Sequence, residues 1–243
     1  MRRIPLAAKV LYTAFMAVLV PYYWHEYTPW NFLYFCDVAL ILTLVAVWTE
    51  NRFLVSLSAV GILLPQTVWV ADFLARAAMG VHLTGMTGYM FDADIPLFVR
   101  GLSSFHGWLP FVLVWLLVRL GYDRRAILVQ APLAVGLLLV CYAFGPIGPA
   151  AGNEAVNINY VFGMDDAARQ TSMAPLAWLG LMMVVNVFAF QVPTHVVLQR
   201  VIGLRAGADA PAASIAPPAA SRRRPARSPW LDWRRLLAGD YRY

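Results

Sequence analysis

The chain has 243 residues, 60% of them hydrophobic and 13% charged, with a formal net charge of +6. A typical soluble domain is roughly 25% charged, so a globule folded in water is excluded and a polytopic membrane protein is what remains. The positive charge does not point to nucleic acid, because it resides in short-loop arginines and a basic tail.

Crossing the roughly 30 Å hydrocarbon layer takes about 20 apolar residues in a helix. Six runs approach that length, at 6–24, 31–48, 53–74, 102–120, 126–144 and 174–195. They predict an all-α bundle of six transmembrane helices over residues 1–202. The first run follows Arg2 and Arg3, but Pro21 to His25 offers no small-residue cleavage site, so it reads as a retained span.

Of the 19 Lys and Arg, 16 fall at the N-terminus, around Arg52, at Arg119 to Arg125 and in the C-terminal region. Only Arg76, Arg100 and Arg169 belong to the opposite set of loops. Basic residues accumulate on the cytoplasmic side, which predicts a cell-membrane protein with both termini in the cytoplasm. Two opposite-side segments, 76–100 and 145–173, are longer than a connection requires and suit lids or binding loops.

From 203 to 243 the composition turns to Ala, Pro, Ser and Arg, too apolar-poor to fold, and predicts a disordered cytoplasmic tail. It closes with Trp230, Trp233, Leu236 and Leu237 beside Arg234 and Arg235, a pattern suited either to the anionic inner leaflet or to solvent.

Polar residues inside apolar helices face the protein interior and usually mark function. Asp37 lies six residues, roughly 9 Å of helix, inside the second run. Tyr34, three positions earlier, shares its helical face, and Asn31 stands a turn further out. Asp72 sits near the outer end of the third run, four residues before Arg76. It can form an interface ion pair or, with Gln66 and Trp69, line a cavity. His106 lies about one turn inside the fourth run, with Ser103 at i−3 and Pro110 at i+4. An imidazole there suits a general base or proton relay, and Asp37 at matching depth could orient it.

His25, Glu26, His82, Asn157 and Asn159 lie in loops that could cover the mouth of the same pocket. Asn186, Gln191 and His195 surround Pro193 in the last run and are expected to satisfy backbone groups freed by the proline. Cys36 and Cys141 lack a Cys-x-x-Cys spacing and read as two buried free thiols. No metal-ligand spacing, phosphate loop or nucleotide fingerprint occurs, so no metal or cofactor is expected.

The segment Asn31-Phe32-Leu33-Tyr34-Phe35-Cys36-Asp37 resembles the F-L-T-x-x-[DN] stretch of the androgen-induced gene family. Ile95-Pro96 through His106 to Leu109-Pro110-Phe111 is similar to the same family's histidine-bearing helix. Those polytopic membrane hydrolases cleave fatty acid esters of hydroxy fatty acids. The resemblance implies that His106 matches the catalytic histidine and Asp37 the family's Asp or Asn. Tyr34 stands where the family has its nucleophilic threonine, and a phenol of pKa about 10 is a poorer acyl nucleophile.

The expectation is an outward-facing intramembrane pocket lined by Tyr34, Asp37, Asp72 and His106, with Asn31, Gln66, Trp69, Ser103 and Asn159 around it. Its partners would be membrane lipids, and its substrate a lipid-derived ester reached from the outer leaflet. The alternatives are a small-solute or proton-coupled carrier, and a scaffold whose polar groups only hold helices together.

Overall fold

The computed structural model describes residues 4–145, 157–164 and 169–208. The expected tail, from 209 onward, lies outside them. Among the described residues the chain is helical throughout, with no strand. The order is α1 (Leu6–Glu26), a 3-10 turn at Pro29–Leu33, α2 (Phe35–Thr49), α3 (Arg52–Met79), a 3-10 turn at Gly88–Phe91, α4 (Leu97–Ser103) and α5 (Phe105–Leu120). After these come α6 (Ala126–Phe144), a 3-10 turn at Ile158–Tyr160, α7 (Pro175–Val184), a π-helical stretch Val185–Gln191 and α8 (Val192–Ala208).

Five helical runs are long and apolar enough to cross a membrane: Leu6–Glu26, Arg52–Met79, Leu97–Leu120, Ala126–Phe144 and Pro175–Ile202. The sixth apolar helix, α2, has 15 residues and so spans only about 22 Å. The second run therefore starts its α-helix later than its apolarity suggests. Pro29 favours the 3-10 turn, and Tyr34 breaks to an extended backbone at φ −58°, ψ 137° before α2 begins. Asp37 thus sits in the first turn of α2, not two turns inside it, and Tyr34 caps the helix without sharing its face.

Local chemistry sets the helix ends. Glu50 closes α2 in the left-handed region at φ 51°, and its carboxylate binds Lys9 of α1 at 2.8 Å. The Asn51 side chain accepts from the N–H of Phe53 and Leu54 and starts α3. Gly121, at φ 89°, ends α5 where an L side chain would be strained.

The third helix is the central post, packed on α2, α5, α6 and the π-helical stretch. Its N-terminal half carries the small residues Ser56, Ser58, Ala59 and Gly61, which let neighbouring backbones approach closely. Ser58 donates to the Ala39 carbonyl of α2 at 3.3 Å, and Gly61 leaves room for Gln130 of α6. Phe105, Leu109, Leu113, Leu116 and Leu117 of α5 are wholly buried against this post. Leu11, Phe111, Leu128, Phe144, Leu176 and Phe188 are exposed. That apolar exterior is compatible with a lipid surround.

Candidate functional site

The polar residues singled out by sequence gather toward the end of the bundle away from the N-terminus, where α1 and α3 finish and α2 and α4 start. Gln66, Trp69 and Asp72 succeed one another at three-residue spacing along α3 and are all buried, so one helical face carries them.

Asp72 serves the loop that follows its own helix. Its Oδ1 accepts from the backbone N–H of Leu83 at 2.6 Å, Thr84 at 2.7 Å and Gly85 at 3.3 Å. Its Oδ2 accepts from the N–H and hydroxyl of Thr87 and lies 3.5 Å from His82 Nδ1. The ion pair with Arg76 allowed by their spacing does not form, because the Arg76 guanidinium donates to the Gly80 carbonyl. A wholly buried carboxylate with this many donors is a loop anchor, and no face of it is left for a cavity.

The anchored loop folds back over the bundle and brings the Tyr89 hydroxyl near the Trp69 indole and Ser103, without a formed hydrogen bond to the indole nitrogen. Burial pushes the Tyr89 phenol well above its ordinary range, so it stays protonated and able to donate. Ser103 also meets the hydroxyl of Tyr23 from α1, at 3.3 Å.

His106 is the second residue of α5, just past the bend at Ser104 that separates α4 from α5. Its Nδ1 lies 2.8 Å from the Ser103 carbonyl. A carbonyl only accepts, so Nδ1 carries the proton and Nε2 keeps its lone pair. The ring stacks on Trp69 at 5.2 Å and on Phe105 at 4.0 Å. This orientation comes from a backbone carbonyl three residues away, and His106 forms no hydrogen bond with Asp37.

Asp37 is buried, with the Cys36 thiol on one oxygen at 3.7 Å and no hydrogen-bond partner on the other. Both amide atoms of Gln66 and the indole nitrogen of Trp69 likewise lack a formed hydrogen bond. Buried polar groups left in this state are uncommon and call for an explanation such as water or a ligand.

Tyr34 and Asn159 belong to a different neighbourhood. The Asn159 side chain accepts from the N–H of Phe35 at 3.0 Å and donates to the Leu33 carbonyl at 2.8 Å. It approaches the Cys141 sulfur of α6 at 3.7 Å. Asn159 thereby caps the start of α2, and Tyr34 packs with Leu138, Cys141 and Phe162. The buried Asn31 accepts the Tyr34 N–H through its carbonyl. These three residues organise a junction between helices.

On the opposite side of the bundle, the Gln191 amide donates to Asn186 Oδ1 at 2.6 Å within the π-helical stretch. His195 Nδ1 takes the Tyr122 hydroxyl at 2.5 Å. These side chains serve one another and not the backbone near Pro193.

Among the described residues, no three His, Cys, Asp or Glu side chains come together to hold a metal. Neither Tyr23 nor Tyr89 stands out in the sequence, since a tyrosine among 33 aromatic residues carries no local signal, and the Ser103 carbonyl is backbone. A shallow surface hollow occurs elsewhere, between α6, the Ile158–Tyr160 turn and α7. Set beside known proteins, the chain matches no family model, no curated protein and no solved structure.

Proposed function

We propose that this is a six-span membrane protein with both termini in the cytoplasm, whose outward polar site acts on lipid-derived acyl esters as a hydrolase or transferase. The basic-residue asymmetry supports the orientation. The Pro29–Leu33 turn and α2 together supply about the 20 residues a sixth span needs.

The observation that carries the reading is His106, with Nδ1 fixed on the Ser103 carbonyl, which leaves Nε2 as the acceptor nitrogen, and with its ring stacked on Trp69 and Phe105. In hydrolysis, Nε2 takes a proton from water as the water oxygen attacks the ester carbonyl. The oxyanion then draws on the Trp69 N–H and the Tyr89 hydroxyl. Collapse breaks the ester C–O bond, and the leaving alkoxide takes the proton back from Nε2. Asp37, with an oxygen unoccupied by hydrogen bonds, would hold the water. In this scheme water replaces Tyr34 as the nucleophile.

A carrier reading draws support from Gln66, near the middle of α3, whose amide has no partner on either atom. Purified protein in detergent separates the two when given long-chain acyl esters, including fatty acid esters of hydroxy fatty acids. The hydrolase reading expects fatty-acid release, a loss of about a hundredfold or more in His106→Ala, and full retention in Tyr34→Phe. Absence of release from every ester, at unchanged fold, sinks it.

A further inference from the structure

We propose that the hollow between α6, the Ile158–Tyr160 turn and α7 binds a phospholipid through its headgroup phosphate, with Arg169 as the anion-binding cation. This site is separate from His106 and does not depend on the catalytic reading.

Arg169 lines the hollow together with Phe162, Tyr142, Gln170 and Trp178. Its guanidinium lies over the Phe162 ring at 4.9 Å, and among the described residues it meets no carboxylate. Its sequence neighbours Asp165 and Asp166 are outside those residues. Of the other polar side chains at the hollow, the Tyr142 hydroxyl is uncharged, and Trp178 and Gln170 are already engaged. Trp178 Nε1 donates to the Tyr160 carbonyl at 2.9 Å. Gln170 Nε2 donates to the Met173 carbonyl, and its Oε1 accepts from Ser172 and Met173. What the hollow still offers is a forked, permanently charged donor, and the ligand that matches it is an oxyanion.

Depth selects which oxyanion. The hollow lies where the span Ala126–Phe144 ends and the span Pro175–Ile202 starts, with Tyr142 and Trp178 placed as interfacial aromatics. Phosphodiesters occupy that layer. Phe144 and Leu176, at the ends of those two spans, are about 70% exposed and would run beside the acyl chains. Cation and apolar flank together fit a phospholipid better than a soluble anion.

The test uses the full chain in detergent with dihexanoyl phosphatidylglycerol, dihexanoylglycerol and inorganic phosphate, read by native mass spectrometry and thermal shift. The expected result is retention of the phosphatidylglycerol, weakened about tenfold by Arg169→Ala and partly restored in Arg169→Lys, with no effect of the phosphate-free glyceride. Equal binding by wild type and Arg169→Ala overturns the proposal, as does equal binding of the glyceride. An Arg169-dependent shift of the same size from inorganic phosphate alone assigns the site to free phosphate and overturns the lipid.

Discussion

Thr87 sends both its backbone N–H and its hydroxyl to the same oxygen of Asp72, at 3.1 and 2.5 Å. A residue fifteen positions away in sequence is thereby bound to the C-terminal half of α3, and the loop between them is closed. Tyr89 reaches the bundle because of that closure.

Replacing Asp72 should therefore release the loop without unfolding the helices. Asp72→Ala leaves several N–H groups without their acceptor, and a loss of about 3 kcal/mol is expected from charge-assisted bonds alone. Hydrogen exchange at Leu83, Thr84, Gly85 and Thr87 should accelerate strongly while α5 stays protected. Unchanged protection at those four amides would show that the loop has another anchor.

Asn159 should be as sensitive. It holds φ 57°, in the left-handed region, and bonds both Phe35 N–H and Leu33 carbonyl. Asn159→Gly keeps the backbone conformation and loses the bonds, so it isolates their contribution, expected at about 2 kcal/mol. Asn159→Asp keeps the acceptor for Phe35 and loses the donor to Leu33. A thermal-shift series in detergent should rank wild type above Asp, and Asp above Gly.

Gly61 makes a packing prediction that a second substitution can check. A Cβ there would stand 2.5 Å from Gln130 Nε2. Gln130 is flexible at its end, so Gly61→Ala should cost about 1 kcal/mol and no more than a few. Shortening Gln130 to Ala in the same chain should recover most of it. If the double variant is no more stable than Gly61→Ala, the α3–α6 contact is closer than this pair of residues shows.

Acid stability should depend on Asp123, in the turn joining α5 and α6. Arg125 binds it through both carboxylate oxygens at 3.0 and 2.8 Å, and Arg52 lies 3.6 Å away. The Arg125 hydrogen bonds are the main cause that lowers its pKa to about 2, against about 3.9 for a free aspartate. A carboxyl depressed in the folded state contributes stability that is complete above about pH 4 and lost as pH falls toward 2. The melting temperature of wild type should drop across that window. Asp123→Asn should lower it at pH 7 and remove this share of the acid dependence. A wild-type curve no steeper than the variant's below pH 4 would assign acid sensitivity to other groups.

How far the sequence carried the site can be judged residue by residue. Asp37, Asp72 and His106 are all buried or half-buried in the bundle, as polar residues in apolar runs must be when lipid is the alternative. Their partners were not legible. Matching depth suggested that Asp37 orients His106, yet the Ser103 carbonyl does so, because a helix bend at Ser104 turns that carbonyl toward the ring. The i,i+4 spacing of Asp72 and Arg76 suggested an ion pair, yet the following loop supplied better donors. Tyr34 was placed on the face of Asp37 by a helical period that does not hold there, since α2 starts only at Phe35.

The sequence by itself determined that the chain is helical, with runs long and apolar enough to cross a membrane, because hydrocarbon tolerates no unpaired backbone over runs of that length. It also determined which polar residues must turn inward. Only the tertiary structure decided what each of them touches, since those contacts join residues as distant as Leu33 and Asn159, 126 positions apart. Such pairings depend on where loops fold back and where helices bend. A buried polar group takes whichever partner arrives with the better geometry, and no local spacing encodes that choice.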